Sequence, residues 1–478
     1  MAGHSPQQMA ELALRAARLD DCIVIAEQTS SANLRWAANS LTTNGVARSR
    51  RLTVIAVRRG PDGVSAGVVS RAGAGLADVA DVVAEAEHSA AATPPAADAA
   101  PLIGPPAATP ATPAGLPGQR AAGRAGWDDE PASTGIGALR GLAGDLGGAI
   151  GAAASGGRLL YGYAEHSMTS TFLASSAGLR LRHDQPAGQL ELNAKSADLT
   201  RSAWAGLPAS DFEAISVTGL ERQLARRLGW GARKVELPPG RYEVILSPSA
   251  MADLYASLYW AASGQDASEG RSAFSRPGGG TRIGEQLAAL PLTLRSDPAA
   301  PGLECEPFVI AHASWPGASV FDNGQVLAPT EWISGGRLTA LRQTRQSARQ
   351  SGLPVTPMIG NLILDRPGEV PTLGQMIAAT GRGLLLTCLW YVVEVDQQSL
   401  LVTGLTRDGT YLIENGEVTA EVGNFRFNES PLAMLARITE VGTTVPALPR
   451  ELADVFTRTA MPPARVEAFN MSSVSQAI

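Results

Sequence analysis

Strand-length apolar runs closed by tight turns recur in both halves of this chain, and they confine it to largely antiparallel sheet architecture. In the first hundred residues CIVIAEQ, NLRWAAN, RLTVIAVRR and GVSAGVVS are rich in β-branched residues, with GPDG at 60–63 a tight turn between the last two. RLLYGYAEH, STFLASS, LRLRHD and QLELNAKS alternate in the middle of the chain. Toward the end come RYEVILS, LPLTLRSD, NLILD, GLLLTCLWYVVEV and SLLVTGLTRDGTYLIENGEVTAEVGNF, with RDG at 407–409 and ENG at 414–416 as hairpin punctuation. Helical spacing is confined to a few segments: 5–18, capped by Ser5 and Pro6, then 76–90, a Gly/Ala-rich stretch from 136, 209–229, the stretch LYASLYW and a final SPLAMLARITEVG.

A chain of 478 residues is too long for one ordinary core, so two or three domains are expected. The fold class is α+β. An N-terminal α+β domain is expected over 1–90, and a linker rich in proline, alanine and glycine over 91–135, extended and without a packed core. A middle α+β region follows over 136–235, then a C-terminal, mainly antiparallel, barrel-like β domain with a few helices over 236–450, and a tail over 451–478.

Composition excludes several partners. With 45% hydrophobic and 18% charged residues the chain is globular, and a net charge of −6 gives no general attraction for nucleic acid or anionic lipid. No run of about 18 apolar residues and no basic-then-apolar leader is visible, which points to a soluble, cytoplasmic protein without membrane contact. Cys22, Cys305 and Cys388 are far apart and form no CxxC pair, so reduced, buried thiols are expected.

The candidates for chemistry are few. GVSAG at 63–67 matches GxSxG, but strand rather than helix follows Ser65, and a hydrolase elbow needs the helix. RPGGGTRIGE at 276–285 is glycine-rich but lacks the lysine of a phosphate loop. None of His4, His88, His166, His183 and His312 is spaced i, i+4 from another, so no helix can turn two imidazoles toward a zinc ion. His166 follows Glu165 and His183 precedes Asp184, yet neighbours in a strand point to opposite faces. In LYASLYWAASGQDASEGRSAF, residues 254–274, Tyr255, Tyr259 and Trp260 share a helix with Leu254 and Leu258. Such a stripe packs a core or, alternatively, contacts a peptide.

The order of RYEVILSPSAMADL, this aromatic helix, GRSAF, GTRIGEQLAALPLTLRSDP, GRGLLLTCLW, YLIENGEVTAEVGNFRF and SPLAMLARITEVG resembles the TldD/PmbA (modulator of gyrase) family of zinc metallopeptidases and their partner subunits. Active TldD-type members carry HExxxH on the corresponding helix. Counting back from Phe274, the first histidine falls on Tyr255, the glutamate on Ala256 and the second histidine on Trp260. A phenol is a poor zinc donor at neutral pH, indole nitrogen only donates, and alanine offers nothing. The family's third ligand is a cysteine near the chain's end, later than Cys388, and the role is not carried over. The pattern is similar to the TldE/PmbA branch. The resemblance implies a subunit with neither catalytic residues nor cofactor of its own. Its partner would be a TldD-like, HExxxH-bearing subunit with zinc, and the heterodimer would proteolyse unfolded or leader-bearing peptides. The alternatives are a metal-free peptide-binding or scaffolding protein with no role in proteolysis, and an autonomous hydrolase using Ser65 or His312.

Overall fold

In the computed structural model, residues 5–105, 126–213 and 215–475 are described. Strands β1 (Asp21–Ala37), β2 (Ser40–Gly60), β3 (Gly63–Ala72), β4 (Arg158–Ser175), β5 (Arg180–Ser196) and β6 (Ser202–Pro208) form one antiparallel sheet in the order β3-β2-β1-β4-β5-β6. Runs expected as separate strands are therefore continuous. CIVIAEQ and NLRWAAN both lie in β1, and the pairs in the middle of the chain merge into β4 and β5. The turn at 60–63 falls where GPDG places it, with Gly63 at φ 132, a conformation open to glycine.

One face of this sheet is backed by helices. Even-numbered Val24, Ala26, Val54 and Phe172 pack against α1 (Pro6–Ala16) and α2 (Val79–Ala92) through Met9, Val79, Val82 and Val83. Farther along, Leu34, Trp36, Leu160, Leu190 and Leu192 pack against α3 (Arg140–Ser155) and α4 (Val217–Trp230) through Leu142, Leu146, Leu220 and Leu224. Helix α4 starts later than the 209–229 expectation because Ser216 caps it, its hydroxyl accepting from Gly219 N.

Two expectations of domain organisation need correction. The boundary at 90 divides a single sheet, since β1 pairs with β2 on one side and with β4 on the other along most of its length. The 91–135 segment is also not an unpacked linker at its flanks. Ala96, Ala99 and Leu102 pack on an apolar cluster, Trp127 is buried against Phe172 at 5.5 Å, and Thr134 N donates to Ser30 Oγ at 2.8 Å. Residues 106–125 lie outside the described residues.

The C-terminal part combines two sheets. The larger has ten strands, running from Trp390–Asp396 through Leu401–Leu405, Phe425–Glu429, Ala464–Val474, Gly240–Leu246, Arg382–Leu386, Thr410–Glu414 and Glu417–Val422 to Lys234–Val235, with Ile438–Val441 also on Ala464–Val474. The smaller has six, in the order Arg337–Leu338, Thr330–Ser334, Thr293–Ser296, Leu362–Asp365, Thr459–Met461 and Val445–Ala447. The expected tail 451–478 thus supplies strands to both sheets, one of them central. Its apolar Val466, Phe469 and Met471 are fully buried, a pattern that burial reveals and chain position hides. The final helix is shorter than expected, Pro431–Met434 and a 3-10 turn, after which ITEV is a strand. Among the described residues no helix is long and apolar enough to cross a membrane.

Candidate functional site

Helix α5 (Pro248–Ala261) begins where Ser247 Oγ accepts from Ala250 N and proline occupies the first turn. It is apolar nearly all round, as a helix lying inside a core must be, and it touches strands of both C-terminal sheets. Tyr255, Ala256 and Tyr259 are fully buried. The Tyr255 hydroxyl has no hydrogen-bond partner, while the Tyr259 hydroxyl donates to Ile359 O at 3.1 Å and accepts from Ile359 N at 2.7 Å. Burial pushes both phenols up, Tyr259 to about 12, so neither is a phenolate donor near pH 7. Trp260 is partly buried against Phe456, its indole N–H unpaired. At the C-terminal end of α5 Arg342 donates to Tyr259 O at 3.0 Å and to Trp260 O, a cation on the negative end of the helix.

These groups do not fit a zinc site. The three positions that the resemblance assigns to two imidazoles and a carboxylate hold a neutral phenol, a methyl and an indole. Among the described residues no three His, Cys, Asp or Glu side chains are gathered closely enough to hold a metal ion. Cys388 is fully buried, its thiol raised to about 12 by desolvation and turned toward Arg407 O. The peptide-contacting role considered for Tyr255, Tyr259 and Trp260 also needs correction. Tyr255 and Tyr259 have no surface to offer, and only Trp260 keeps some, because α5 is enclosed by the two sheets.

Ser65, His166, His183 and the 276–285 loop are held in structural contacts, and His4 lies outside the described residues. The Ser65 hydroxyl donates to Ala90 O at 2.7 Å, tying β3 to α2. His166 has Thr134 Oγ1 at 2.7 Å on Nδ1 and Ser210 O at 3.2 Å on Nε2; a carbonyl only accepts, so Nε2 carries the proton. Asp184 pairs with Arg182 at 2.9 Å, and His183 instead meets Gln185. In the 276–285 loop Arg276 and Arg282 both pair with Glu285, which leaves the backbone glycines without a cationic companion for phosphate.

A feature that motif reading missed lies on the face of the β1–β6 sheet away from the helices. The register sets Thr29 opposite Thr169 and Gln185, Asn33 opposite Glu165 and Gln189, and Arg35 opposite Tyr163 and Glu191. Every one of these residues has an odd number, so one face carries a polar array across three strands. The members bond laterally. Thr29 Oγ1 is 2.9 Å from Thr169 Oγ1, Tyr163 donates to Glu165 at 2.6 Å under the Arg35 guanidinium, and the Trp204 indole donates to Glu191 at 2.9 Å. At the opposite end of the same face the residues turn apolar, and Ile23, Ile25, Ile55 and Leu173 are covered by Phe308, Val320 and Phe321. His312 sits at the border, with Thr53 Oγ1 at 3.1 Å and Glu27 Oε1 at 3.5 Å. The alternation was the available signal: EQTSSANLR, YGYAEHSMT and HDQPAGQLELN each place polar side chains two apart.

A helix-backed sheet with a polar face is thus joined to a two-sheet part built around a core helix. Residues 239–473 match the model of the PmbA/TldA metallopeptidase C-terminal domain, and this part of the chain belongs to the TldD/PmbA family. Its fold is similar to that of TldE from Thermococcus kodakarensis, with a TM-score of 0.75 at 15% identity over 97% of this chain and 99% of that one. It is also similar to two proteins described as candidate modulators of DNA gyrase. One, from Thermotoga maritima, gives a TM-score of 0.69 at 17% identity over 94% and 95% of the two chains. The other, from Bacteroides thetaiotaomicron, gives 0.72 at 14% over 98% and 98%. No curated protein matches the chain at a significant level.

Proposed function

We propose that this chain is the noncatalytic, TldE-like subunit of a heterodimeric zinc peptidase, with zinc and HExxxH supplied by a TldD-like partner. The observation that carries this reading is the contrast between its two regions. The helix where the family's metal site belongs is sealed in the core with Tyr255, Ala256 and Trp260 at the functional positions. Meanwhile the sheet keeps a polar face that no helix among the described residues covers, and half-buried Thr29, Asn33, Tyr163 and Glu191 offer donors and acceptors along it.

Such a face suits the main chain of an unfolded or leader-bearing peptide, whose amides need partners whatever its side chains are. This chain's residues then form a wall and hold the substrate backbone. Bond cleavage belongs to the partner. The setting expected is the cytoplasm, with neither nucleic acid nor membrane as a partner.

The test is to mix the chain with its HExxxH-bearing homologue, separate the mixture by size exclusion and assay peptide cleavage. A co-eluting complex whose turnover needs both chains supports the proposal. Equal activity of the homologue alone, with no complex, removes it. The open polar face would then favour the second reading, a metal-free peptide-binding or scaffolding protein.

A further inference from the structure

We propose that the polar face of the β1–β6 sheet carries a subsite for a basic side chain, a lysine or arginine of the bound peptide, formed by Glu165, Gln189 and Glu191. This rests on the reading of that face as a peptide wall and adds a sequence preference to it. Glu165 and Gln189 are register partners across β4 and β5, and Glu191 follows two residues on, opposite Tyr163. The three therefore share one face, with the two acids one diagonal step apart, about 7–8 Å. A single ammonium or guanidinium fits between carboxylates so placed.

Each of the three needs a partner that the sheet does not supply. Glu165 accepts from the Tyr163 hydroxyl at 2.6 Å and Glu191 from the Trp204 indole at 2.9 Å, neutral donors that leave both charges in place. Burial and the adjacent Glu165 push the Tyr163 phenol up, which keeps it a donor. Among the described residues neither carboxylate makes an ion pair, although both are half-buried, so each is partly desolvated without a counter-charge beside it. Arg35 does not fill that role, since its guanidinium lies over the Tyr163 ring at 4.7 Å. Gln189 is 6% exposed, and its Oε1 is buried with no hydrogen-bond partner among the described residues. Such an acceptor is unfavourable until a donor reaches it.

Two anionic acceptors and a neutral one are satisfied together by a positive group with several N–H donors, and a lysine ammonium has three, an arginine guanidinium five. Arg35, two strands away from Glu191, offsets part of the negative charge from a distance, and the incoming cation offsets the rest. An acidic side chain would meet two carboxylates, and an apolar one would leave Gln189 Oε1 unpaired. A metal ion would find only two acidic ligands, because no three His, Cys, Asp or Glu side chains gather among the described residues. An extended peptide turns every second side chain toward the sheet beneath it, so one basic residue reaches the subsite while other groups bond elsewhere along the face.

Fluorescence anisotropy on the full chain tests this, with unstructured peptides acetylated and amidated at their ends that differ only in a central lysine, norleucine or glutamate. The lysine peptide should bind about tenfold more tightly than the norleucine peptide, and the glutamate peptide more weakly than either, the differences shrinking as salt rises. Glu165→Gln combined with Glu191→Gln keeps an oxygen for Tyr163 and Trp204 while removing both charges. It should bring the ratio of lysine to norleucine affinity to within about twofold of one. Circular dichroism checks that this variant is folded. A ratio near one in the unaltered chain overturns the inference and leaves the peptide wall standing, whereas binding of no peptide at all removes wall and subsite together. A preference that the double variant retains places the basic side chain elsewhere and overturns the assignment.

Discussion

Asp253 is a carboxyl buried at a cost. It is fully buried on α5, one carboxyl oxygen accepting from Glu451 N at 2.9 Å and the other without a partner, and desolvation raises its pKa well above the usual carboxylate range. A carboxyl whose folded pKa exceeds its unfolded one contributes its stability fully below the unfolded value of about 4, and that contribution is lost as pH rises toward the folded value. Asp253→Asn should therefore flatten the decline in stability above pH 4. At pH 8 it should be the more stable form by ~1 kcal/mol or more, read from urea midpoints at pH 5 and pH 8. The neighbouring positions separate polar from charged burial. Tyr255→Phe removes a hydroxyl that bonds nothing and should be neutral or stabilising by up to ~1 kcal/mol. Ala256→Glu places a carboxylate in an apolar core and should cost ~3 kcal/mol or more, visible as a large fall in melting temperature.

At the scale of elements, the GVSAG stretch shows how a motif can serve packing. Gly67 lies where α2 crosses β3, and a Cβ there would collide with Ala86 O and Ala90 N. Gly67→Ala should thus cost ~2 kcal/mol through forced separation of helix and strand. Ser65→Ala, losing one buried bond to Ala90 O, should cost about 1 kcal/mol. Thermal melts of the two variants check both values. The strand Ala464–Val474 lies between Phe425–Glu429 and Gly240–Leu246 in the middle of the large sheet. Truncation after Pro463 should consequently yield insoluble protein, whereas a dispensable tail would leave solubility unchanged. Alternation announced most of the strands, and the Ser5 and Pro6 signal placed α1. Strand continuity was not legible in the same way. Nothing in EQTSSANLR says that one 17-residue strand runs through it, because the partners on one of its two sides are supplied by β4 from more than a hundred residues away.

At the scale of the whole molecule, the segment around 304–324 joins the two parts. Phe308, Val320 and Phe321 fill the apolar end of the β1–β6 face, Gln185 donates to Glu304 O at 3.1 Å, and Ser314 and Ser319 both donate to Asp98. Asp98 belongs to the stretch expected to be an unpacked linker, and its two serine partners explain why that stretch is held. Truncating Phe321 to alanine should cost ~3–5 kcal/mol. Because the lost contacts cross between the two parts, the variant's two parts should unfold less cooperatively than those of the unaltered chain, with tryptophan fluorescence and far-UV circular dichroism moving apart. Coincident transitions would show that the joint is held elsewhere.

The sequence by itself determined the α+β class, the antiparallel bias, the absence of metal-ligating side chains at Tyr255, Ala256 and Trp260 and the strand character of GVSAG, because each follows from side-chain identity or from spacing along the chain. Only the tertiary structure decided that 21–72 and 158–208 are one sheet, that 464–474 is a central strand, that Tyr255 and Tyr259 face the core, and that odd-numbered polar residues of three strands form one surface. The physical reason is the same in each case. Burial and hydrogen bonding at these positions are set by partners remote in sequence, and no local pattern of propensity specifies which remote strand completes a ladder.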